Sequence, residues 1–281
     1  MRLRSLLFVP GDRPDRMRKA LKSGADALIL DLEDSVALSG KDAARDHVAT
    51  FLNEAARDIA LFVRVNPLDS GLIDGDLDAI VPARPTGLML PKAEGAAAIH
   101  ALNERLSARG GQGLVVLPIA CETPRGFFGL GEFGQVAKDL AGLTWGAEDL
   151  PAAIGAMTSR HPDGSYTTPY EIARSFTLFG AAAAGVPAID TVYPAIRDLV
   201  GLTAYAQRAA IDGFTGMMAV HPDQVPAINA AFSPSEEAVA HAQAVVDAFA
   251  ANPDAGVLTL DGKMIDRPHL IKAQSILARR G

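Results

Sequence analysis

Carboxylates and one arginine follow the short apolar runs of this chain at the same relative place. Leu28-Ile29-Leu30 leads to Asp31, Glu33 and Asp34, Leu61-Phe62-Val63 to Arg64, Leu114 to Ala120 to Glu122, and Leu143-Thr144-Trp145 to Glu148 and Asp149. In a barrel of parallel strands the C-terminal strand ends meet in one mouth, where catalytic groups collect. Glu122 and Asp149 form the leading pair. Each lies a residue or more beyond its run, beside Thr123-Pro124 in one case and Gly146-Ala147 in the other, so neighbouring strand ends aim both at one point. Mg2+ prefers six oxygens at roughly 2.0–2.1 Å and usually takes only one or two protein carboxylates, leaving positions for water and substrate. The competing role for each acid is capping the helix after its strand, and Glu148 rivals Asp149.

Arg64 closes a run rich in Val and Phe, where an unpaired cation is strongly disfavoured. Its partner is either a bound carboxylate, which the planar guanidinium grips with two hydrogen bonds, or an acid from Asp31, Glu33 and Asp34. Those three acids within four residues repel one another and raise their own pKa values unless cations compensate; Arg4, Arg64 and a metal are the compensators at hand. A solvated acidic loop is the plainer alternative. Asp266 precedes a Pro-led helix and has the look of an N-cap, and His221 before Pro222 reads as a hydrogen-bonded strand-end histidine rather than a base. Cys121 has no convincing histidine partner and reads as packing. No glycine-rich phosphate loop is present.

The elements that must carry these groups alternate. Leu6 to Val9 is a first strand, Pro10-Gly11 a break, and a basic helix with Arg16, Arg18, Lys19 and Lys22 starts near Pro14. A strand over 27–30, a helix over 41–56 and a strand over 59–65 follow, then a strand over 87–90 and its helix over 95–108. Strands five to eight are expected over 114–120, 142–145, 188–191 and 216–220. A long Ala-rich helix covers 168–185 after a loop over 157–167. Eight short apolar runs separated by helical patterns favour a closed α/β (β/α)8 barrel over an open doubly wound sheet. The reading places the barrel at residues 1–232. Residues 233–281 form a C-terminal extension: a helix started by Ser233 or Ser235 and running to about Ala251, a hairpin turning at Asp261-Gly262, and a helix over 268–280.

The 281 residues carry a formal charge of −7, and a pI near 5.4 argues against a general nucleic-acid binder, which needs a basic face. The apolar stretch after Arg4 stops too soon for a signal peptide, and no run is long enough to cross a bilayer. A single cysteine cannot form an internal disulfide, so the expected compartment is a reducing cytoplasm, without membrane or nucleic-acid partners.

Several segments together resemble one family. Arg4 to Gly11, Asp31 to Val36, Arg64-Val65-Asn66, Leu90-Pro91-Lys92, Glu122-Thr123, Gly146 to Leu150, Gly213 to Gly216, His221-Pro222 and Gly262 to Asp266 are similar to the citrate lyase beta-subunit-like proteins, relatives of the malyl-CoA and citramalyl-CoA lyases in the HpcH/HpaI group. The resemblance implies a Mg2+-dependent barrel that cleaves or forms a carbon–carbon bond in a 3-hydroxyacyl thioester. It implies that Glu122 and Asp149 hold the metal, that Arg64 binds the oxoacid or acyl oxygen, and that Asp31, Glu33, Asp34 and Glu122 line the substrate site. Asp266 is then the base, supplied by a neighbouring subunit of a homotrimer or hexamer. The expected partners are an acyl-CoA or acyl-carrier thioester and a small 2-oxoacid. Relatives often carry Lys where this chain has Met217, which puts the carrier's affinity or identity at issue. Two other classes compete with the lyase: an acyl-CoA thioester hydrolase on the same scaffold, and a non-catalytic subunit of a larger complex.

Overall fold

The computed structural model describes residues 1–55 and 58–280. Ala56, the last residue of the expected second helix, lies outside them. Parallel strands β1 (Ser5–Pro10), β2 (Ala27–Asp31), β3 (Ala60–Arg64), β4 (Gly87–Leu90), β5 (Val115–Cys121), β6 (Thr144–Trp145), β7 (Ile189–Asp190) and β8 (Gly216–Ala219) form one sheet in the order β6-β5-β4-β3-β2-β1-β8-β7. A parallel bridge between Leu143 and Ala188 joins the two end strands and closes the barrel. All eight expected strands are present, two of them only two residues long.

Helices α1 (Pro14–Ala20), α2 (Lys41–Glu54), α3 (Ile73–Ile80), α4 (Ala96–Ser107), α5 (Pro124–Gly129), α6 (Leu150–Ile154), α7 (Thr168–Ala184), α8 (Leu199–Asp212) and α9 (Val225–Ala231) follow the strands. Their sequences dictate which face turns inward. In α2 the buried residues include Ala44, Val48, Phe51 and Leu52, and in α4 Ile99, Leu102 and Leu106, the three-and-four spacing of a helix packed on one side. The strands, covered on both faces, are mainly apolar: Leu28, Ile29 and Leu30 are all fully buried. No described helix is long and apolar enough to cross a membrane.

The period of two along each strand sorts side chains between the barrel interior and the helix layer. Leu6, Ile29, Phe62, Met89, Leu117, Ile189 and Met218 fill the interior. Two residues beyond Ile29 and Phe62 come Asp31 and Arg64, which are direct register partners across β2 and β3, so the same alternation that packs the core lifts this acid–base pair to its upper rim. Met217, beside the inward Met218, is fully buried, so position 217 offers a carrier no exposed contact.

The chain divides into two compact units, residues 3–229 and residues 230 onward. The second contains α10 (Glu236–Ala251), the antiparallel hairpin of β9 (Val257–Leu260) and β10 (Lys263–Asp266), and α11 (Arg267–Ala278). Ser235 caps α10, its side chain accepting from the Ala238 N–H. Ala242, Val245, Phe249, Ile265 and Ala273 make up its small core.

The backbone before β1 approaches β8 closely at Gly216, where an added Cβ would come within 1.9 Å of the Leu3 carbonyl oxygen. Backbone cannot give way as a side-chain tip can. Gly216→Ala is therefore expected to cost about 2–3 kcal/mol and to lower the thermal midpoint by roughly 5–10 °C, read by calorimetry; an unchanged midpoint would contradict the packing described for β1 and β8.

Candidate active site

A cavity of about 440 Å3 opens at the C-terminal ends of the strands, lined among others by Asp31, Asp34, Arg64, Glu122, Glu148 and Asp149. The expected site residues of the barrel thus come together from β2, β3, β5 and β6. Glu33 stands behind the wall, buried against Arg64.

Arg64 is held by the acids of the neighbouring strand end. Its Nε donates to Asp31 Oδ1 and its Nη2 to Asp31 Oδ2, both at 2.7 Å, and its Nη1 lies 2.9 Å from Glu33 Oε2 and 3.7 Å from Asp34. The guanidinium also stacks over the Phe8 ring at 4.9 Å. Of the two partners open to Arg64 in the sequence, the internal acid is the one this structure displays. Burial works to raise the Asp31 carboxyl, but the paired hydrogen bonds from Arg64 outweigh it and hold Asp31 below the usual carboxylate range. Glu33 behaves oppositely. Burial, reinforced by Asp34 and Asp31 and opposed by Arg64, raises it to about 7, and its Oε2 is a buried oxygen with no aligned hydrogen-bond donor.

Arg4 does not compensate the acidic loop. It is spent on Asp26, with its Nη2 2.7 Å from Asp26 Oδ1, because it immediately precedes β1 and so stands at the opposite end of the barrel from Asp31. The loop is steadied instead by Lys41 at the start of α2, whose Nζ donates to the carbonyls of Leu32 and Glu33 at 2.6 and 2.7 Å and to Asn66 Oδ1 at 2.9 Å. Asn66 in turn donates to Asp76, which also receives Arg45.

Neither Glu122 nor Asp149 caps a helix. Thr123 caps α5 by accepting from the Gly126 N–H, and Asp149, which stands at the N-cap position of α6, makes no side-chain cap bond. Glu122 is buried, and its Oε1 accepts from the backbone N–H of Lys92, a residue in the left-handed region with φ of 49°. Its Oε2 lies against Gly146, where an added Cβ would come within 2.7 Å of that oxygen. Burial pushes the Glu122 carboxyl up to about 8, the Lys92 N–H opposes this, and the charges of Asp149 and Glu33 add to the rise. Among the described residues neither Glu122 nor Asp149 has an ion pair.

The strand period alone would point Cys121 inward after Leu117 and Ile119. The β5–β6 register shifts between Ile119 and Cys121, so Cys121 turns to Thr177 of α7 and Glu122 enters the mouth. Burial pushes the Cys121 thiol up to about 12, in keeping with a packing role. His221 caps the 3-10 turn at Pro222–Gln224 by accepting from the Asp223 N–H. In the second unit, Asp266 caps α11 in a reciprocal box with His269, whose Nδ1 lies 2.5 Å from Asp266 Oδ1; that contact holds the Asp266 carboxyl below its ordinary value.

Lys41, Asn66, Asp76 and Lys92 are the residues of this site to which no role attaches in the sequence. Asn66 and Lys92 obey the same strand-end rule as Arg64 and were findable by it. Lys41 and Asp76 sit on helices, where nothing local marks them.

A second groove, about 720 Å3, adjoins the mouth and shares Phe8, Pro10, Arg16 and Val220 with it; Lys19, Lys22 and His221 line its farther part. The basic face of α1 is therefore turned to a concave surface beside the acids.

The HpcH/HpaI aldolase/citrate lyase family matches residues 4–222. A citrate lyase subunit beta-like protein of Mycobacterium tuberculosis is 37% identical over 98% of this chain and 94% of its own length. The mitochondrial citramalyl-CoA lyase of Rattus norvegicus is 33% identical over 98% of this chain and 85% of its own. Among solved structures, the CitE protein of Mycobacterium tuberculosis in complex with magnesium, acetoacetate and coenzyme A superimposes with a TM-score of 0.82 at 35% identity, covering 99% of this chain and 98% of that one. This chain belongs to the HpcH/HpaI aldolase/citrate lyase family.

Proposed function

We propose that this protein is a Mg2+-dependent carbon–carbon lyase that cleaves a 3-hydroxyacyl thioester into an acetyl thioester and a 2-oxoacid, or runs that reaction in reverse. The observation that carries the reading is Glu122: a buried carboxyl beside Asp149, capping nothing and paired with no cation. A group so placed is costly unless a positive charge completes it. Two carboxylates at one point suit Mg2+, and the Lys92 N–H occupies Oε1 of Glu122 while the bare Gly146 leaves room at Oε2. The similar Mycobacterium tuberculosis structure holding magnesium, acetoacetate and coenzyme A agrees with this choice.

When bound, the cation supplies Lewis-acid stabilisation of the oxygen that gains negative charge, worth several kcal/mol. The chain's own groups do the rest. Cleavage removes the proton of the 3-hydroxyl, the C2–C3 bond breaks as that oxygen becomes a ketone, and the electron pair passes to the thioester enolate, which takes up a proton to give the acetyl thioester. Arg64, locked by Asp31, presents a fixed positive charge to the oxoacid carboxylate or the enolate. The basic groove of Arg16, Lys19 and Lys22 suits the phosphates of a CoA or carrier arm. Asp266 is assigned as the base, reaching the site from a neighbouring copy in a homotrimer or hexamer; the assignment requires it to leave His269. A cytoplasmic setting fits such soluble acyl chemistry.

Three outcomes follow. Glu122→Ala and Asp149→Ala are each expected to cut Mg2+-dependent oxoacid release at least about 100-fold while keeping the far-ultraviolet dichroism, and chelator to do the same to the wild type; normal turnover in either variant excludes the pair as ligands, and release of free CoA without an oxoacid identifies a hydrolase instead. Mixing Asp266→Ala with Arg64→Ala subunits should restore part of the activity lost in each alone, whereas no recovery places the base elsewhere.

The third concerns pH. In chelator Glu122 titrates at about 8 in the folded protein, against roughly 4.3 when unfolded. The folded state then binds the proton more tightly, so this contribution is complete below the unfolded value and is lost as pH rises through about 8. The metal-free thermal midpoint should therefore fall between about pH 5 and 8, with Glu33 adding in the same direction, and should fall less in Glu122→Gln. Identical pH profiles for the two proteins would contradict the burial described.

A further inference from the structure

The barrel is unevenly fastened. β1 and β2 stay in register from Leu6 opposite Ala27 to Pro10 opposite Asp31. β6 and β7 meet in the single bridge of Leu143 and Ala188, fastened by Leu143 N–H to Pro187 O and Ile189 N–H to Leu143 O, both at 2.9 Å. Beyond that point no backbone rung joins the two strands among the described residues. Yet the next residues of β6 are those that lead to Gly146 and Asp149.

One buried carboxylate spans the gap. Asp190, the last residue of β7, is wholly buried. Its Oδ1 accepts from Trp145 Nε1 at 2.7 Å, from the Thr191 N–H at 2.8 Å and from the Tyr205 hydroxyl at 3.2 Å. Its Oδ2 accepts from Arg174 Nε at 2.8 Å, and Arg174 Nη1 donates to Asp212 at 2.6 Å. The Arg174 guanidinium lies over the Phe214 ring at 4.6 Å, which fixes its plane. The Thr191 hydroxyl in turn faces the Ala147 N–H at 3.4 Å, so both flanks of the β6 turn are tied to the end of β7.

A buried acid–arginine pair is seldom a large source of net stability, because desolvation offsets attraction; what it does well is enforce one arrangement. Here that arrangement is of Trp145, four residues before Asp149. We infer that Asp190 is a positioning residue for the metal site: through Trp145 and Thr191 it holds the β6 turn so that Asp149 meets Glu122. The inference rests on the reading of Glu122 and Asp149 as metal ligands.

Asp190→Asn keeps the shape and the three contacts on Oδ1 but sets an amide donor against the Arg174 guanidinium. Trp145→Phe keeps the packing and removes a single N–H. Mn2+ binding, followed by the spin resonance of the free ion on the full-length protein, reads the site without turnover. Trp145 is the chain's one tryptophan, so quenching of its fluorescence by Mn2+ reports from the seam itself. Supporting groups of this kind typically contribute 10–100-fold to metal affinity, so Asp190→Asn is expected to bind Mn2+ at least about tenfold more weakly, with Trp145→Phe shifted in the same direction. Leu202→Ala, a core truncation on α8, supplies a protein of lowered thermal midpoint whose Mn2+ affinity should match the wild type. Wild-type affinity in Asp190→Asn overturns the inference, and should that variant not fold, wild-type affinity in Trp145→Phe overturns it. A wild type that binds no Mn2+ overturns the metal reading and this inference with it.

Discussion

Burial of the Glu122 carboxyl next to Asp149 is the constraint around which the upper face of the barrel is arranged. Its single backbone donor, the Lys92 N–H, comes from a left-handed turn that no strand alternation would generate. The register shift in β5 exists to the same effect, exchanging the inward place of Cys121 for Glu122. Gly146 completes the setting, since a methyl there would collide with the carboxylate. Each of these features sacrifices regular ladder geometry or conformational ease, and each makes sense together with a cation that restores charge balance.

Charge is layered in this mouth. Apolar side chains fill the barrel to the level of Ile29 and Phe62, and the next inward positions along those strands are Asp31 and Arg64. Their two-point pairing satisfies both ions above a dry core and leaves a rigid guanidinium at the cavity wall. Beneath the acidic loop, Lys41 holds two carbonyls and Asn66, while Asp31 accepts from the backbone N–H groups of Glu33 and Ser35, so the loop's path is set both from the helix layer and by its own first carboxylate. The outcome is a cavity in which Asp31 is compensated from within the protein by Arg64, while Glu122 near Gly146 has no such partner among the described residues.

Much of this was legible in the sequence for a simple reason: a parallel strand inside a barrel must be apolar, so the first polar residues beyond it announce the mouth. Asp31, Arg64, Glu122 and Asp149 all obey that rule and all line one cavity. The eight strands were legible too, even where β6 and β7 shrank to two residues, because apolar runs persist where ladder hydrogen bonds do not. What the sequence concealed depends on long-range approach. Arg4 reads as a neighbour of the acidic loop until the strand direction places it at the far end with Asp26. Lys41 and Asp190 look like ordinary helix-start and strand-end residues, and only the closing of the barrel shows Lys41 under Leu32 and Asp190 against Trp145. Helix-capping preference misleads at Asp149, whose position is that of a cap but whose side chain is not used as one.

The central claim, that Glu122 and Asp149 converge on one divalent cation, is tested most directly by anomalous diffraction from crystals grown with Mn2+ in place of Mg2+. The account predicts a single strong peak in the barrel mouth within about 2.0–2.3 Å of an oxygen from each carboxylate, with the remaining positions filled by water or oxoacid. A mouth without a peak at saturating Mn2+, or a cation bound to Asp31 and Glu33 with Glu122 still turned to the Lys92 N–H alone, would contradict it.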